Sequence, residues 1–273
     1  MKELAEILGG LDVVFVIKTW GLIMARVQPI IVLVPFIGGK SVPGRTKMSL
    51  AFILSIFIYP IAAPLDPSAF PPSTGEYVLL LLKEIFLGMT IGFIAAHLMH
   101  AIMMSGHLVD MARGASMASM QDPAFGTQAS HLGILLFQLA IQLVFLTGAH
   151  RVFLSGFFTS FTMIGVTEYP TFGQGVGPAL DLIVRLTANM WLVAIQLNLP
   201  AFILVFLTDA VVGILGRVAQ QIKIDFVAAP TKMIVGVWAV MVGISLIVEQ
   251  MEVILGMIPR WVDYYVRLIA RGS

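Results

Sequence analysis

Residues Tyr77 to His107 read YVLLLLKEIFLGMTIGFIAAHLMHAIMMSGH, with only two charged side chains, Lys83 and Glu84. A helix needs about 20 mostly apolar residues to cross a bilayer, and this run is longer than that. Gly88 and Gly92 form a small-xxx-small pair, which allows membrane helices to pack closely. Because Lys83 and Glu84 are adjacent, we expect their side chains to lie on different helix faces. The run predicts a membrane-spanning helix.

The composition of the whole chain supports the same class of protein. Its 273 residues are 59% hydrophobic and 11% charged, whereas soluble domains carry roughly 25% charged residues. This deficit indicates an integral membrane protein or a chain buried in a large assembly. The net charge of +1 gives no support for a nucleic-acid partner. The absence of cysteine excludes disulfides and thiolate metal sites.

Long apolar blocks recur along the chain and predict an all-α integral membrane fold with about six long helical blocks. Some of these blocks are expected to be broken, at Gly148–Arg151 and near Pro200 and Pro230. Aromatic and basic residues mix from Pro259 to Arg271, a pattern typical of an amphipathic helix at a membrane interface. The six blocks are Leu11–Ile37, Met48–Leu65, Tyr77–His107, Leu132–Gly165, Leu182–Gly216 and Phe226–Ile258.

A soft segment, Arg113-Gly-Ala-Ser-Met-Ala-Ser-Met-Gln-Asp-Pro123, follows the third block. Six of the 16 methionines lie between Met99 and Met120. Methionine is flexible and adapts to irregular or changing surfaces, and small residues allow the backbone to bend. The segment therefore fits either a gate or seal, or a plain connector with methionine as filler. Taken alone, its residues favour the connector.

Charged residues inside the apolar blocks are the other candidates for function. Each costs about 2.5–3.5 kcal/mol in hydrocarbon, so each needs a partner, a polar cavity or water. They could form an ion path, or they could pair and fix the register of packed helices. Since there is no regular array of carboxylates, pairing is favoured. The residues are Arg26, Arg185, Asp209, Arg217, Lys232 and Glu249.

Enzyme motifs are missing from the sequence. There is no His-Glu-x-x-His, Gly-x-Ser-x-Gly or Walker loop. His97 and His100 are one helical turn apart, but no carboxylate shares that turn, so helix packing is favoured over metal binding. We therefore predict a protein that is not an enzyme, without catalytic residues, metal or cofactor.

Three stretches together resemble the FliR/SctT family of the type III protein export apparatus. Their order and spacing over nearly the whole chain carry the resemblance. The family usually has Pro-Gln near the third stretch, where this chain has Gln220-Gln221, so the hinge there departs from the family pattern. The matching residues are Arg26, Val34-Pro35 and Ser41 to Lys47, then Gly106 to Asp122-Pro123 and Gly148-Ala149-His150, then Leu199-Pro200, Gly216-Arg217 and Ala229-Pro230-Thr231-Lys232.

The resemblance implies a subunit of an export gate in the bacterial inner membrane, at the base of a flagellum or injectisome. Residues 1–181 would resemble FliP/SctR and residues 182–273 would resemble FliQ/SctS. The implied partners are FliP/SctR-like, FliQ/SctS-like and FlhB/SctU-like subunits, an FlhA/SctV-like component, unfolded secreted proteins and membrane lipid. Partner subunits would satisfy charges such as Lys18, Arg26 and Lys83. Arg26, Arg185, Asp209, Arg217 and Lys232 would serve subunit packing.

By position, the segment that runs from Gly114 to Met120 matches the family's plug loop. Gly114 would supply the bend, and Asp122-Pro123 would end the loop, with Asp122 capping the next helix. The chain would then help to form and seal the pore through which unfolded proteins leave the cell. The plug residues are Gly114, Ala115, Ser116, Met117, Ala118, Ser119 and Met120.

Two other classes of protein remain open at this point. Helices broken at Pro200 and Pro230 are a feature that small-molecule or ion transporters use at sites in mid-membrane. Against that class, no internal repeat with matching broken helices is found. The other class is a membrane scaffold without a pore.

Overall fold

The structure, a computed structural model, describes residues 13–39, 42–64, 73–115, 130–170, 177–218 and 225–270. Regular structure over these residues is α-helical, which confirms the predicted all-α class. The helices, in chain order, are α1 (Val13–Leu33), α2 (Gly44–Ala62), α3 (Thr74–Ala112), α4 (His131–Leu146), α5 (Ala149–Met163), α6 (Gly177–Leu197), α7 (Leu199–Val218), α8 (Asp225–Leu255) and α9 (Met257–Ala270).

Within the described ranges, six helical segments are long and apolar enough to cross a membrane, or up to seven if the bent pair α4–α5 is one span. Helix α3 has 39 residues, which makes it roughly 58 Å long at 1.5 Å per residue. That exceeds the hydrocarbon thickness of about 30 Å. Large apolar side chains such as Leu146, Phe57 and Phe206 are exposed. The chain is therefore a multi-pass membrane protein.

The predicted break in the fourth block is confirmed. Helix α4 ends at Leu146, α5 begins at Ala149, and the two are bent by 73°. Gly148 between them has a φ of +74°, in the left-handed region that glycine adopts without a steric penalty.

The fifth block consists of two helices, α6 and α7, that meet at Asn198. Pro200 lies in the first turn of α7, where its missing N–H leaves no helical hydrogen bond unmade. The Asn198 side chain donates a hydrogen bond to the Ser105 hydroxyl of α3, at 2.7 Å. The break expected near Pro230 is wrong, because Pro230 lies inside the continuous helix α8.

The chain divides into two compact units. Unit 1 comprises Met1–Ala96, Ala149–Val184 and Ile258–Ser273, and unit 2 comprises His97–Gly148 and Arg185–Met257. Helix α3 contributes residues 74–96 to unit 1 and residues 97–112 to unit 2. The division predicted at residues 181 and 182 concerns likeness to other proteins and stays a prediction. Buried apolar side chains of unit 1 include Leu22, Ile23, Val27, Ile30, Leu80, Leu87, Ile91, Phe153 and Phe157, and those of unit 2 include Ile102, Val109, Leu136, Ala140, Val144, Ala201 and Val205.

Helix α9 is strongly amphipathic, but its apolar side is not left for a membrane surface. Ile258, Val262, Tyr265, Val266 and Ile269 on that side are all buried within the protein. The expectation of a helix lying at the membrane interface is corrected accordingly. The prediction of an amphipathic helix is confirmed, but its apolar side packs on protein. The sequence pattern is the same in either case, because protein can cover an apolar stripe as effectively as lipid.

Candidate functional site

The guanidinium of Arg26, on α1, is fully buried in unit 1. Its Nε and Nη2 both bind the Glu84 carboxylate of α3, with Nη2 to Oε1 at 2.9 Å. Nη1 donates to the Ser160 carbonyl at 2.8 Å, and Nη2 donates to the Ile164 carbonyl at 2.9 Å. The Phe161 ring centroid lies 4.2 Å from Cζ. This bidentate, ring-covered arrangement is the geometry in which a buried arginine is best satisfied.

Lys83 completes the same cluster. Its Nζ lies 2.5 Å from Glu84 Oε1. The ammonium also donates to the carbonyls of Gly165, Val166 and Glu168, at 3.0, 3.0 and 2.9 Å. The expectation that Lys83 and Glu84 lie on different faces is therefore wrong for their charged groups. A lysine has four flexible methylenes, so its ammonium can reach a carboxylate on the neighbouring residue.

Two cations share the Glu84 carboxylate in this cluster. Backbone oxygens at the end of α5 and in the turn after it also accept hydrogen bonds from these cations. The last carbonyls of a helix have no partner within the helix and carry partial negative charge. The end of α5 therefore helps Glu84 to stabilise the two cations.

Gly88 explains how α1 comes close enough to make these contacts. A Cβ added to Gly88 would lie 2.2 Å from the Arg26 carbonyl oxygen. At Gly92, one turn later, an added Cβ would meet the Leu33 side chain at 3.1 Å. The predicted small-residue pair is thus the place where α1 crosses α3, and the crossing brings Arg26 next to Glu84.

The structure gives Lys18, Arg26 and Lys83 partners inside this chain, where partner subunits had been expected. Lys18 Nζ lies 5.8 Å from the Tyr77 ring centroid. Arg26 and Lys83 have the contacts described above. Since the hydrogen-bonded groups around Arg26 all come from α1, α3, α5 and the following turn, the cluster fixes the register of these elements. These contacts fit the hypothesis that the buried charges pair and fix the register of packed helices better than they fit an ion path.

A second charge cluster lies in unit 2. It joins residues near the two sides of the soft segment Arg113 to Pro123, which is called the Met-rich segment below. The buried carboxylate of Asp110, near the end of α3, pairs with Arg113 Nη2 at 2.6 Å. Its Oδ2 accepts from the Ser130 hydroxyl at 2.7 Å and from the Leu132 N–H at 3.0 Å. Ser130 also caps α4, because its Oγ accepts from the Gly133 N–H at 2.8 Å. One carboxylate thus bonds residues on both sides of the segment.

Two of the predicted plug residues belong to the described part of the chain. Gly114 has a φ of +78° and lies two residues after the end of α3 at Ala112, so it turns the chain away from the helix. Ala115 is half-buried. Of the methionines on α3, Met99 is fully buried as a core residue and Met111 is exposed. Ser116, Met117, Ala118, Ser119 and Met120, with Asp122 and Pro123, lie outside the described residues.

A family model described as "Bacterial export proteins, family 1" matches residues 17–258 of the chain. The chain belongs to the FliR/SctT family of the type III export apparatus. The match spans both units and includes the Arg26 cluster and the Asp110 cluster.

Individual relatives of this FliR/SctT chain agree with the family model. Flagellar biosynthetic protein FliR of Bacillus subtilis is 28% identical over 230 residues, covering 83% of this chain and 86% of that protein. Flagellar biosynthetic protein FliR of Caulobacter vibrioides is 24% identical over 255 residues, covering 93% and 96%. Yop proteins translocation protein T of Yersinia pestis is 29% identical over 218 residues, covering 78% and 81%. Together with the candidate spans, this makes the chain a multi-pass inner-membrane component of the export apparatus.

The other predicted charges of this FliR/SctT chain are placed differently from Arg26. Asp209 of α7 and Lys232 of α8 form an ion pair whose side chains are 44% and 25% exposed. Arg185 and Arg217 are exposed. Their predicted role in subunit packing stays a prediction.

Sequence reasoning missed the two carboxylates that organise these sites. Glu84 was noted only as a neighbour of Lys83, and Asp110 was not singled out. A usable signal existed for each: Glu84 is an acid in an apolar run, and Asp110 stands three residues before Arg113 at a helix end.

Proposed function

We propose that this chain is the export-gate subunit that helps to form and seal the pore for unfolded proteins in the bacterial inner membrane. The proposed seal is the plug segment, Gly114 to Met120. The proposal starts from the family assignment, which makes the chain a component of the type III export apparatus. The observation that carries it is the order of the sequence, in which Gly114, Met117 and Met120 come after the helix α3, which ends at Ala112.

The sealing mechanism is steric and apolar. A closed export pore must stop water and ions, yet it must pass an unfolded chain of any sequence. A constriction lined by apolar groups excludes a continuous water column without selecting one side chain. Methionine suits this role because its three rotatable bonds allow it to adapt to whatever passes. Leucine or phenylalanine would exclude water equally well but would adapt less.

The proposed assembly places this chain with FliP/SctR-like, FliQ/SctS-like and FlhB/SctU-like subunits and an FlhA/SctV-like component. Residues 1–181 take the FliP/SctR-like part and residues 182–273 the FliQ/SctS-like part. Exposed charges on membrane-length helices support neighbours here, because a charge facing lipid is costly. Arg217 of α7 is such a charge. The transporter alternative is not taken further, because the relatives are named for flagellar biosynthesis and protein translocation.

Deleting residues 114–120 tests the proposal in cells that produce the complete export apparatus. The deletion starts after the end of α3 at Ala112 and leaves that helix intact, so we expect the complex to assemble, as measured by co-purification of the partner subunits. We expect the membrane potential to fall, because the constriction then holds water. A same-length replacement by glycine and serine is the matched control for chain length, and it should also leak. An assembled deletion complex that conducts no more than the parent would leave the segment a plain connector.

A further inference from the structure

A groove lies between α2 and α5 on the surface of unit 1. Its volume is about 460 Å³, within the range of about 300–1,000 Å³ that is typical of sites for small molecules. Helix α2 contributes Ile61 to one wall, and a stripe of α5 that begins at Arg151 and ends at Thr162 forms the other. This stripe is roughly 16 Å long at 1.5 Å per residue.

The stripe lies on the side of α5 that faces away from the core of unit 1. Phe153, Phe157 and Phe161 of the same helix are buried, and the Ser160 carbonyl binds Arg26. With 3.6 residues per turn, positions 151, 155, 158 and 162 fall on the opposite side of the helix. The groove is therefore a surface that the fold leaves open, and changes in it leave the Arg26 cluster unaltered.

Most of the groove wall is apolar. Leu154 and Phe158 of α5 and Ile61 of α2 supply large apolar side chains. The Thr159 and Thr162 hydroxyls each donate to a backbone carbonyl of α5, both at 2.9 Å. Because these hydroxyls are already bonded to their own helix, the two threonines do not require a polar ligand. Such a wall suits an alkyl chain.

Arg151 makes one end of the groove basic. Its side chain is exposed, and the described part of the chain offers it no ion pair. Ser155 lies one turn further along the same stripe, and no acidic residue is among the described residues that line the groove. An anion at this end would meet a guanidinium and a hydroxyl, with no carboxylate to repel it. Arginine binds phosphate well because its planar fork offers paired N–H donors.

We propose that the groove binds one anionic phospholipid, with the phosphate on Arg151 and Ser155 and one acyl chain along Leu154 and Phe158. The length of the stripe is close to half of the hydrocarbon thickness of about 30 Å, which is the depth of one leaflet. Helix α2 is a candidate membrane span with exposed apolar side chains such as Phe57, so lipid has access to this wall. Basic pockets between membrane helices bind the headgroups of anionic lipids.

Solvation of the guanidinium alone does not account for this arrangement. A long cationic side chain can reach water from the end of a membrane helix, and it then needs no groove beside it. Here the apolar wall continues for roughly 16 Å beyond the charge. The basic end and the apolar wall follow one another in the order of the head and tail of a phospholipid. The lipid site does not depend on the proposed seal.

Photocrosslinking in the complete complex identifies what occupies the groove. A photoreactive phenylalanine analogue replaces Phe158, and the complex is placed in nanodiscs of phosphatidylglycerol or of phosphatidylcholine. After illumination, mass spectrometry of this chain identifies the adduct. We expect a phosphatidylglycerol adduct in several-fold higher yield than a phosphatidylcholine adduct. Inorganic phosphate in excess should not remove it, because free phosphate has no acyl chain to fill the apolar wall.

Four variants separate the charge from the groove. Arg151→Gln should lower the yield of the phosphatidylglycerol adduct several-fold, and Arg151→Lys should keep most of it. Ser155→Phe fills the groove but leaves the charge, and it should lower the yield as much as Arg151→Gln does. Val152→Phe adds a similar bulk at an exposed position of α5 outside the groove, and it should change nothing. Since the three replaced side chains are exposed, the amount of assembled complex should stay the same.

Arg260→Gln, at an exposed arginine of α9, is the control for loss of positive charge and should also leave the yield unchanged. The proposal is overturned if no lipid adduct forms, or if a peptide of a partner subunit is crosslinked in its place. It is also overturned by equal yields from the two lipids, by loss of the adduct to inorganic phosphate, or by an Arg151→Gln yield equal to that of the parent. If the deletion of residues 114–120 does not leak, the proposed seal fails while the lipid site stands.

Discussion

The two parts of helix α3 use buried charge in different ways. In residues 74–96, Lys83 and Glu84 belong to a cluster in which Arg26 is bound on all sides by this chain. In residues 97–112, Asp110 instead bonds Arg113, just after α3, and Ser130 and Leu132, at the start of α4. The first cluster joins helices that must pack. The second joins residues that come before and after the soft segment in the sequence.

Because of this difference, we expect some substitutions to impair folding and others to impair the closure of the assembled gate. Removing one partner of a buried ion pair leaves an uncompensated charge, which strongly destabilises the fold. Changing Met117 and Met120 leaves the residues of both buried charge clusters unaltered, so we expect folding to survive. Substitutions in residues 74–96 should therefore change how much protein is folded. Substitutions of Met117 and Met120 should instead change how tightly the assembled gate is closed.

Glu84→Ala should have the largest effect on folding. It leaves the Arg26 guanidinium buried without its carboxylate, which costs about 3–5 kcal/mol for a buried pair. We expect the chain to be nearly absent from membranes of cells that produce the full apparatus. The measurement is its amount in purified complex, relative to the parent chain.

The double variant Arg26→Met with Glu84→Leu is the matched control for Glu84→Ala. Replacing a buried pair by apolar groups of similar volume is often neutral or stabilising, and Lys83 keeps its bonds to Gly165, Val166 and Glu168. We expect this variant to recover much of the lost protein. Normal amounts of Glu84→Ala would show that the cluster does not determine the fold.

Gly88→Ala should have a smaller effect on the same part of α3. The added methyl would lie 2.2 Å from the Arg26 carbonyl oxygen, so one of the two backbones must move. Overpacking of this kind costs about 1–3 kcal/mol. Gly75→Ala, in the first turn of the same helix with open space around it, is the control. Thermal aggregation of the purified complex should begin at a lower temperature only for Gly88→Ala; equal temperatures would argue against the close crossing.

Much of the fold could be predicted from local patterns. Apolar runs of membrane length predicted the all-α class, because the length of a run and its lack of charge can be read from one segment without knowing its partners. Gly88 and Gly92 were recognised as a packing pair, and the left-handed Gly148 was expected as a break. The amphipathic pattern of α9 was also visible. Whether protein or lipid covers its apolar side depends on the rest of the chain, so that part of the prediction was wrong.

The sites were harder to predict because their partners are distant in sequence. Arg26 and Glu84 are separated by 58 positions, and Ser130 follows Asp110 by 20. No periodicity connects such pairs. The contact between Lys83 and Glu84 was also missed. Helical geometry places adjacent residues on different faces, but it does not account for the length of the lysine side chain, which allows the ammonium to reach Glu84. The Met-rich segment is visible in the composition, but its residues alone favour a plain connector, and its role as a plug stays a prediction.

The most direct test of the sealing function compares two changes at the same positions. Met117 and Met120 are both replaced by aspartate in one complex and by leucine in another, and ion conductance is measured for each. The aspartate complex should conduct far more than the parent, because charged groups wet the constriction. The leucine complex should stay as tight as the parent while exporting more slowly, because leucine adapts less readily to a passing chain. An assembled aspartate complex that conducts no more than the leucine complex would contradict the account.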